Sequence, residues 1–204
     1  REHDLAYIAM DYVCGQSLDA WTAKADLLPV WEVLEIAAQV AEALHYAHGR
    51  NIVHRDIKPG NIIYDRDSGT VKITDFGVAR VVDASQTRTG TVLGTPCYMS
   101  PEQVAGKKMD GRSDLFSLGT TLYQMLSGSL PFNADSVAAL MYQITNHKTP
   151  AMSRLRPGLP VCVNRLLTKA MQKDPAKRFA DGQLMAVAIR KCRAQFKSSR
   201  RMTA

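Results

Sequence analysis

The stretch His54-Arg55-Asp56-Ile57-Lys58-Pro59-Gly60-Asn61 is the part of the chain from which the fold is best predicted. It reads as a short loop that presents an acid, a cation and an amide, at Asp56, Lys58 and Asn61. Fourteen residues after Asn61, a second acid stands in Asp75-Phe76-Gly77. Between the two motifs lie two short β-rich runs, at residues 62–64 and 71–74, which predict a hairpin that delivers the second acid.

These residue types are the ones that a phosphoryl-transfer site needs. A carboxylate accepts the proton of the attacking hydroxyl, and a cation contacts the phosphate that is transferred. A carboxylate and an amide can hold Mg²⁺, which prefers hard oxygen ligands. One acidic turn alone would be weak evidence, whereas both motifs in this order, with a hairpin between them, are specific.

The two motifs resemble the catalytic loop H-R-D-x-K-x-x-N and the metal loop D-F-G of eukaryotic-type protein kinases. The resemblance implies that Asp56 is the catalytic base and that Lys58 contacts the γ-phosphate of ATP. It further implies that Asn61 and Asp75 hold Mg²⁺. A lysine two residues after the acid is the usual Ser/Thr-kinase form, so the implied acceptors are protein hydroxyls.

The start of the chain resembles the last small-lobe strand of a kinase and its hinge. Residues 5–13 are rich in β-branched and aromatic side chains and predict a strand that Gly15 ends. By resemblance, Met10 lies behind the adenine, and the backbone of Asp11 and Val13 bonds to it. The resemblance also places Ser17 near the ribose and Ile63 beneath the adenine.

Residues 75–102 resemble a kinase activation segment that ends in Ser100-Pro101-Glu102, a variant of A-P-E. In the resemblance, Thr95 bonds to the catalytic loop, as is usual for Ser/Thr specificity. A phosphorylated threonine of this segment would pair with Arg55 through charge-assisted hydrogen bonds. The candidate phosphorylation sites are Thr87, Thr89 and Thr91, and the alternative is a merely flexible loop.

Helical periodicity predicts a long helix at residues 29–50 and a helix at 112–127 that is apolar nearly all round and therefore buried. By resemblance, Asp114 in the second helix holds the catalytic-loop backbone, and Arg178 forms a buried ion pair with Glu102. Further helices are predicted at residues 17–25 (with Ser17 as N-cap), 135–146, 159–171 and 182–196. His45 and His48, three residues apart, are expected to be packing or surface side chains rather than metal ligands.

The predicted fold class is mainly α with small β-hairpins, the C-terminal lobe of a protein-kinase-like fold. The expected divisions are the hinge remnant 1–14, the large lobe 15–196 with catalytic loop 54–61 and activation segment 75–102, and a basic tail 197–204. No G-x-G-x-x-G and no V-A-I-K motif occurs in the sequence. We therefore expect this chain to be part of a longer kinase and to have little activity alone, with an apolar surface that favours a homodimer.

Composition is that of a globular domain, with 46% hydrophobic and 22% charged residues in 204. No apolar run approaches the ~18 residues that span a membrane, so a cytoplasmic kinase domain is expected, with an anchor elsewhere in the parent protein left open. Four scattered cysteines without a CxxC pair predict free thiols in a reducing cytosol.

The formal charge of +7 is concentrated in the last fifteen residues, which hold six lysines and arginines. This segment is either an ordinary helix end or a segment that lies near anionic lipid or an acidic partner. Nucleic acid is not expected as a partner, because only Phe196 interrupts the charges with an aromatic ring.

Three functions remain open from the sequence. The preferred one is a bacterial-type protein Ser/Thr kinase that uses ATP and Mg²⁺. The runner-up is a pseudokinase-like binding or scaffold module, which the complete set of motif residues disfavours. The third is a small-molecule phosphotransferase, against which Lys58 and the Ser100-Pro101-Glu102 region count.

Overall fold

The computed structural model describes residues 13–76 and 96–201, with side chains described as far as residue 195. The described helices are α1 (Val30–His48), α2 (Pro101–Val104), α3 (Gly111–Ser127), α4 (Val137–Asn146), α5 (Met152–Leu155), α6 (Val161–Ala170) and α7 (Gly182–Arg201). The described strands are β1 (Gln16–Ser17), β2 (Ile62–Asp65) and β3 (Thr70–Ile73).

Helix α3 is the centre of the core. Fourteen of its seventeen residues are buried, including the large side chains of Phe116 and Tyr123. Helices α1 and α6 pack against it, and α7 packs along α1. The helix ends at Gly128, whose φ of 69° is the left-handed conformation that glycine adopts at little cost. The prediction that this helix is buried is confirmed, although six of its fourteen buried residues are polar or charged.

The three strands form one antiparallel sheet in the order β1-β2-β3. Ser17 pairs with Ile63, and Ile62 pairs with Ile73. Ile62 and Tyr64 are buried in the core, whereas Ile63 on the opposite face of β2 is only half-buried. The sheet therefore lies at the edge of the helical core and connects the first described residues to the catalytic loop.

Most predicted elements are present within one to three residues of their expected bounds. The predicted helix at residues 17–25 is wrong: it is a single 3₁₀ turn, Leu18–Trp21, and the Ser17 side chain makes no capping hydrogen bond. Ser17 stands at the N-cap position of this turn and also belongs to β1, because its backbone pairs with Ile63. The last helix is longer than predicted, since its backbone stays helical to Arg201. The strand predicted at residues 5–13 lies almost wholly outside the described residues.

The prediction of four free thiols is also wrong. Cys162 on α6 and Cys192 on α7 form a disulfide, with their Cα atoms 5.6 Å apart. The two residues are 30 positions apart in the sequence, without the spacing of a metal or redox motif, and only the packing of α6 against α7 brings them together. Cys14 is free and exposed, and Cys97 is free and buried.

In the two stretches that the structure describes, none of the helices is both long and apolar enough to cross a membrane.

Candidate active site

The backbone of the catalytic loop is held by one buried carboxylate, that of Asp114 on α3. Its Oδ2 accepts a hydrogen bond from the amide of His54 at 2.9 Å, and its Oδ1 accepts one from the amide of Arg55 at 2.8 Å. Arg55 has a φ of 69°, an uncommon conformation for a residue with a side chain. Such a conformation persists only where the surroundings fix it, and here Asp114 does so.

His48, at the end of α1, also contacts Asp114, and the sequence did not predict this contact. Its Nε2 lies 2.8 Å from Oδ2 of Asp114, and its side chain is mostly buried. By contrast, His45 is exposed, and its Nδ1 lies 3.9 Å from Oδ1 of Asp181. The spacing of the two histidines was visible in the sequence, but the contact with Asp114 depends on how α1 packs against α3.

The catalytic-loop side chains converge on Asp56. Its Oδ2 accepts hydrogen bonds from Nζ of Lys58 at 2.9 Å and from Nδ2 of Asn61 at 3.1 Å. The same Asn61 nitrogen also donates to the backbone oxygen of Asp56 at 2.8 Å. Because the amide nitrogen of Asn61 donates to Asp56, its Oδ1 is left as the acceptor atom of this side chain.

The second acid is tied to the same loop through its neighbour Thr74. The amide of Thr74 donates to the backbone oxygen of Asn61 at 2.9 Å, and Nε2 of His54 donates to the oxygen of Thr74 at 2.8 Å. Asp75 follows with a φ of 57° and an exposed side chain. Phe76 places its ring edge-on to His54, with 4.8 Å between centroids. Two motifs distant in sequence thus form one rigid unit.

The oxygen atoms of this unit fit a magnesium ion. Asn61 offers an amide oxygen and Asp75 a carboxylate, both of the hard type that Mg²⁺ prefers. Mg²⁺ in phosphoryl-transfer sites is typically held by one or two carboxylates together with the substrate phosphates. Among the described residues, no group of three or more His, Cys, Asp or Glu side chains could hold a metal ion.

The predicted nucleotide contacts are described only in part. Val13 and Ser17 are half-buried, and Ser17 lies beside Ile63 in the sheet. Met10 and Asp11 lie outside the described residues. The same holds for the predicted activation-segment threonines, Thr87, Thr89, Thr91 and Thr95.

The ion pair between Arg178 and Glu102 is present as the sequence predicts. NH1 and NH2 of Arg178 donate to the two carboxylate oxygens at 2.6 and 2.7 Å, and both side chains are buried. The other Arg178 donors reach the backbone oxygens of Gln172, Lys173 and Arg112, which satisfies all five N–H groups. Burial raises the pKa of Glu102, but hydrogen bonds from Arg178 and Ser113 outweigh it and hold the pKa below its usual range.

The fold and the arrangement of the two motif loops are those of a protein kinase lobe. The family model "Protein kinase domain" matches residues 1–188, and the chain belongs to this family. It is 37% identical to the Serine/threonine-protein kinase pkn3 of Myxococcus xanthus, across 98% of this chain and 38% of that protein. It is 38% identical to the Serine/threonine-protein kinase PrkC of Bacillus subtilis, across 93% of this chain and 29% of that protein.

A solved structure agrees with this assignment. The Mycobacterium tuberculosis PknI kinase domain superposes with a TM-score of 0.70 at 31% identity, covering 90% of this chain and 64% of that one. The chain therefore has the protein-kinase fold, mainly its C-terminal lobe. It spans less than two fifths of the length of the two curated relatives.

Proposed function

We propose that this chain is the catalytic large lobe of a protein serine/threonine kinase that transfers the γ-phosphate of ATP to protein hydroxyls. The observation that carries the proposal is the convergence of Lys58 and Asn61 on the Asp56 carboxylate, with the Asp75 motif bonded to the same loop. The curated relatives are named serine/threonine-protein kinases, which supports the acceptor class.

Each side chain of the loop has a role in this proposal. Asp56 accepts the proton of the attacking hydroxyl, and Lys58, whose Nζ is 2.9 Å from it, contacts the transferred phosphoryl group. Asn61 and Asp75 hold Mg²⁺, which supplies neutralising charge at the phosphates when bound. The protein contributes position and electrostatics, because phosphoryl transfer needs no covalent intermediate.

The nucleotide is proposed to lie against the half-buried face of β2 and the residues before it. Ile63 forms the floor beneath the adenine, Ser17 beside it lies near the ribose, and Met10, Asp11 and Val13 belong to the hinge. The half-buried state of Ile63, next to Ser17 in the sheet, supports this placement. The proposed divisions remain 1–14 for the hinge, 15–196 for the large lobe and 197–204 for the basic tail.

Activation is proposed to proceed by autophosphorylation at Thr87, Thr89 or Thr91, with the phosphate paired to Arg55. The Arg55 side chain is exposed and adjoins Asp56, which supports this role. Thr95 is proposed to contact the catalytic loop. We further propose that the kinase domain acts in the cytoplasm, that it forms a homodimer, and that the parent protein is associated with a membrane.

The test is a pair of substitutions in the full-length protein, assayed with radiolabelled ATP, Mg²⁺ and dephosphorylated casein. Asp56→Asn removes the proton acceptor but keeps the side-chain shape, and we expect incorporation to fall by about 10²–10⁴-fold. Asp110→Asn, at the exposed start of α3, is the matched control and should keep wild-type activity. Equal incorporation by Asp56→Asn and wild type would show that Asp56 is not the base and favour a scaffold role.

A second measurement concerns the isolated chain. The sequence lacks the glycine-rich loop and the V-A-I-K lysine that hold the ATP phosphates in kinases. We expect calorimetry to find Mg-ATP binding at least tenfold weaker for the 204-residue chain than for the full-length protein. Equal affinity would mean that the hinge and metal loop suffice for nucleotide capture.

A further inference from the structure

Gln103, on the short helix α2, makes a contact that no kinase motif named above includes. Its Nε2 donates a hydrogen bond to the backbone oxygen of Arg55 at 2.8 Å, across 48 positions of sequence. Its Oε1 accepts one from the amide of Ser100 at 2.9 Å. The second contact fixes which end of the amide is oxygen, so the nitrogen is directed at Arg55.

The oxygen that Gln103 contacts belongs to the peptide group that joins Arg55 to Asp56. The N–H of the same peptide group donates to Nδ1 of His54 at 3.2 Å. The preceding peptide N–H, that of Arg55, is bound by Asp114. The peptide plane that carries Asp56 is therefore fixed on its oxygen side by Gln103 and on its nitrogen side by His54.

This arrangement matters because Arg55 has a φ of 69°. For a residue other than glycine, that conformation is unfavourable and persists only if its neighbours fix it. Asp114 holds one side of Arg55, and Gln103 is the partner in the described structure that holds the other. Without the second contact, the peptide can rotate toward a more favourable conformation and carry Asp56 with it.

Gln103 is itself well anchored. It closes a capping box with Ser100 at the start of α2, and its neighbour Glu102 is locked by Arg178 and by Ser113 Oγ at 2.6 Å. Ser113 directly precedes Asp114 on α3. The two side chains that hold Arg55 thus come from two helices that are bonded to each other.

We infer that Gln103 is a positioning residue for the catalytic base, which fixes the Arg55–Asp56 peptide and transmits the placement of α2 to the Asp56 carboxylate. The inference rests on the proposed kinase function for its kinetic consequence. Its structural consequence is independent of that function.

The decisive variant is Gln103→Glu in the full-length protein. Glutamate keeps an oxygen for the Ser100 amide and so preserves the capping box, but it cannot donate to the oxygen of Arg55. We expect kcat for casein phosphorylation to fall at least tenfold, with KM for ATP within twofold and the melting temperature within about 2 °C of wild type. Gln183→Glu, which adds the same charge to an exposed position at the start of α7, should change none of these.

Amide hydrogen exchange gives a readout that does not need activity. In Gln103→Glu, the Asp56 amide should exchange at least fivefold faster, whereas the amides of His54 and Arg55, which Asp114 still binds, should keep their wild-type rates. An unchanged Asp56 exchange rate would overturn the inference, as would wild-type kcat. If instead Asp56→Asn leaves phosphorylation unchanged, the kinase proposal fails, and the exchange rates alone decide the role of Gln103.

Discussion

Asp114 accepts three hydrogen bonds within 2.9 Å, from the amides of His54 and Arg55 and from His48. Its side chain is about 1% exposed, so no water replaces a lost partner. A buried carboxylate is stable only when hydrogen-bond donors surround its oxygens, and these three donors meet that need at Asp114. The catalytic loop therefore owes its shape to a residue sixty positions away, and the acids of the site are held by it indirectly.

Asp114→Asn should lower the free energy of unfolding by about 2–4 kcal/mol, because an amide has only one acceptor oxygen and leaves a buried N–H unmatched. Urea unfolding of the chain, followed by circular dichroism, measures the change. The matched control is Asp110→Asn, an exposed N-cap on the same helix where asparagine can also cap. It weakens the exposed ion pair with Arg112, so we expect a change below about 1 kcal/mol. Equal stability of both variants would contradict the role of Asp114.

Lys173 is a residue whose charge should make stability depend on pH. Its Nζ donates to the oxygen of Ile144 at 2.6 Å and lies 4.0 Å from the centre of the Phe132 ring. Burial, and then the positive charge of Arg178, lower the pKa of Lys173 to about 8. The Phe132 ring and the Ile144 carbonyl favour the charged form of Lys173, whereas burial and Arg178 disfavour it.

Between pH 8 and about 10.5 the unfolded chain holds the Lys173 proton and the folded chain does not. The free energy of unfolding should therefore rise with pH across this window, by the linkage between proton binding and stability. We expect the unfolding free energy of wild type minus that of Lys173→Met to increase from pH 8 to 10.5 in urea titrations. Lys177→Met, at an exposed neighbour, should show no such trend, and a falling difference for Lys173 would mean that the ring and carbonyl dominate.

At the scale of elements, α2 shows how a four-residue helix is kept in place. A helix this short has almost no stability of its own. It is held by its capping box, by the Glu102–Arg178 pair and by the hydrogen bond from Ser113 to Glu102. The end of the predicted activation segment is thereby fixed to the core helix α3 and to the segment after α6.

Arg178→Met should cost about 3–5 kcal/mol of unfolding free energy, because it leaves the Glu102 carboxylate buried and unpaired. The double variant Glu102→Gln/Arg178→Met should be more stable than Arg178→Met alone, since the unpaired charge is then gone. Because the pKa of Glu102 is lowered in the fold, its contribution is present above about pH 4.5 and is lost as the pH falls through the folded pKa. A loss below 1 kcal/mol at pH 7 would show that the pair is not structural.

At the scale of the whole molecule, α7 closes the structure against α1 and α6. Arg190 and Arg193 form ion pairs with Glu42 and Glu35 on α1, and the Cys162–Cys192 disulfide ties α7 to α6. The ion pairs are partly exposed and contribute little each. The disulfide closes a loop of 30 residues and constrains the unfolded chain more than the ion pairs do.

Reduction with dithiothreitol should therefore lower the unfolding free energy by about 2–4 kcal/mol. The double variant Cys162→Ser/Cys192→Ser should be as stable as the reduced wild type and insensitive to dithiothreitol. Cys14→Ser, which removes an exposed free thiol, is the control and should behave as wild type. Detection of four free thiols by mass spectrometry without reductant would show that the disulfide does not form.

Local order was readable from the sequence wherever a pattern of neighbouring residues fixes the structure. The periodicity of α1 and α3, the turn between β2 and β3, and the Arg178–Glu102 pair implied by family motifs were all predicted. Helix α7 was predicted too short, because polar residues after Phe196 carry no packing signal even though the backbone continues as helix. Ser17 stands at the N-cap position of the turn Leu18–Trp21, but its side chain makes no capping hydrogen bond and its backbone pairs with Ile63.

The sequence by itself determined the family and the order of the helices, and it predicted the residues of the catalytic and metal loops, because these depend on local periodicity and on motifs of closely spaced residues. Only the tertiary structure decided which distant side chains hold those loops. His48 on Asp114, Gln103 on the Arg55 oxygen and Cys162 on Cys192 are pairs separated by 30 to 66 positions. The physical reason is that such contacts arise from the packing of elements that are far apart in the sequence, which no local pattern encodes.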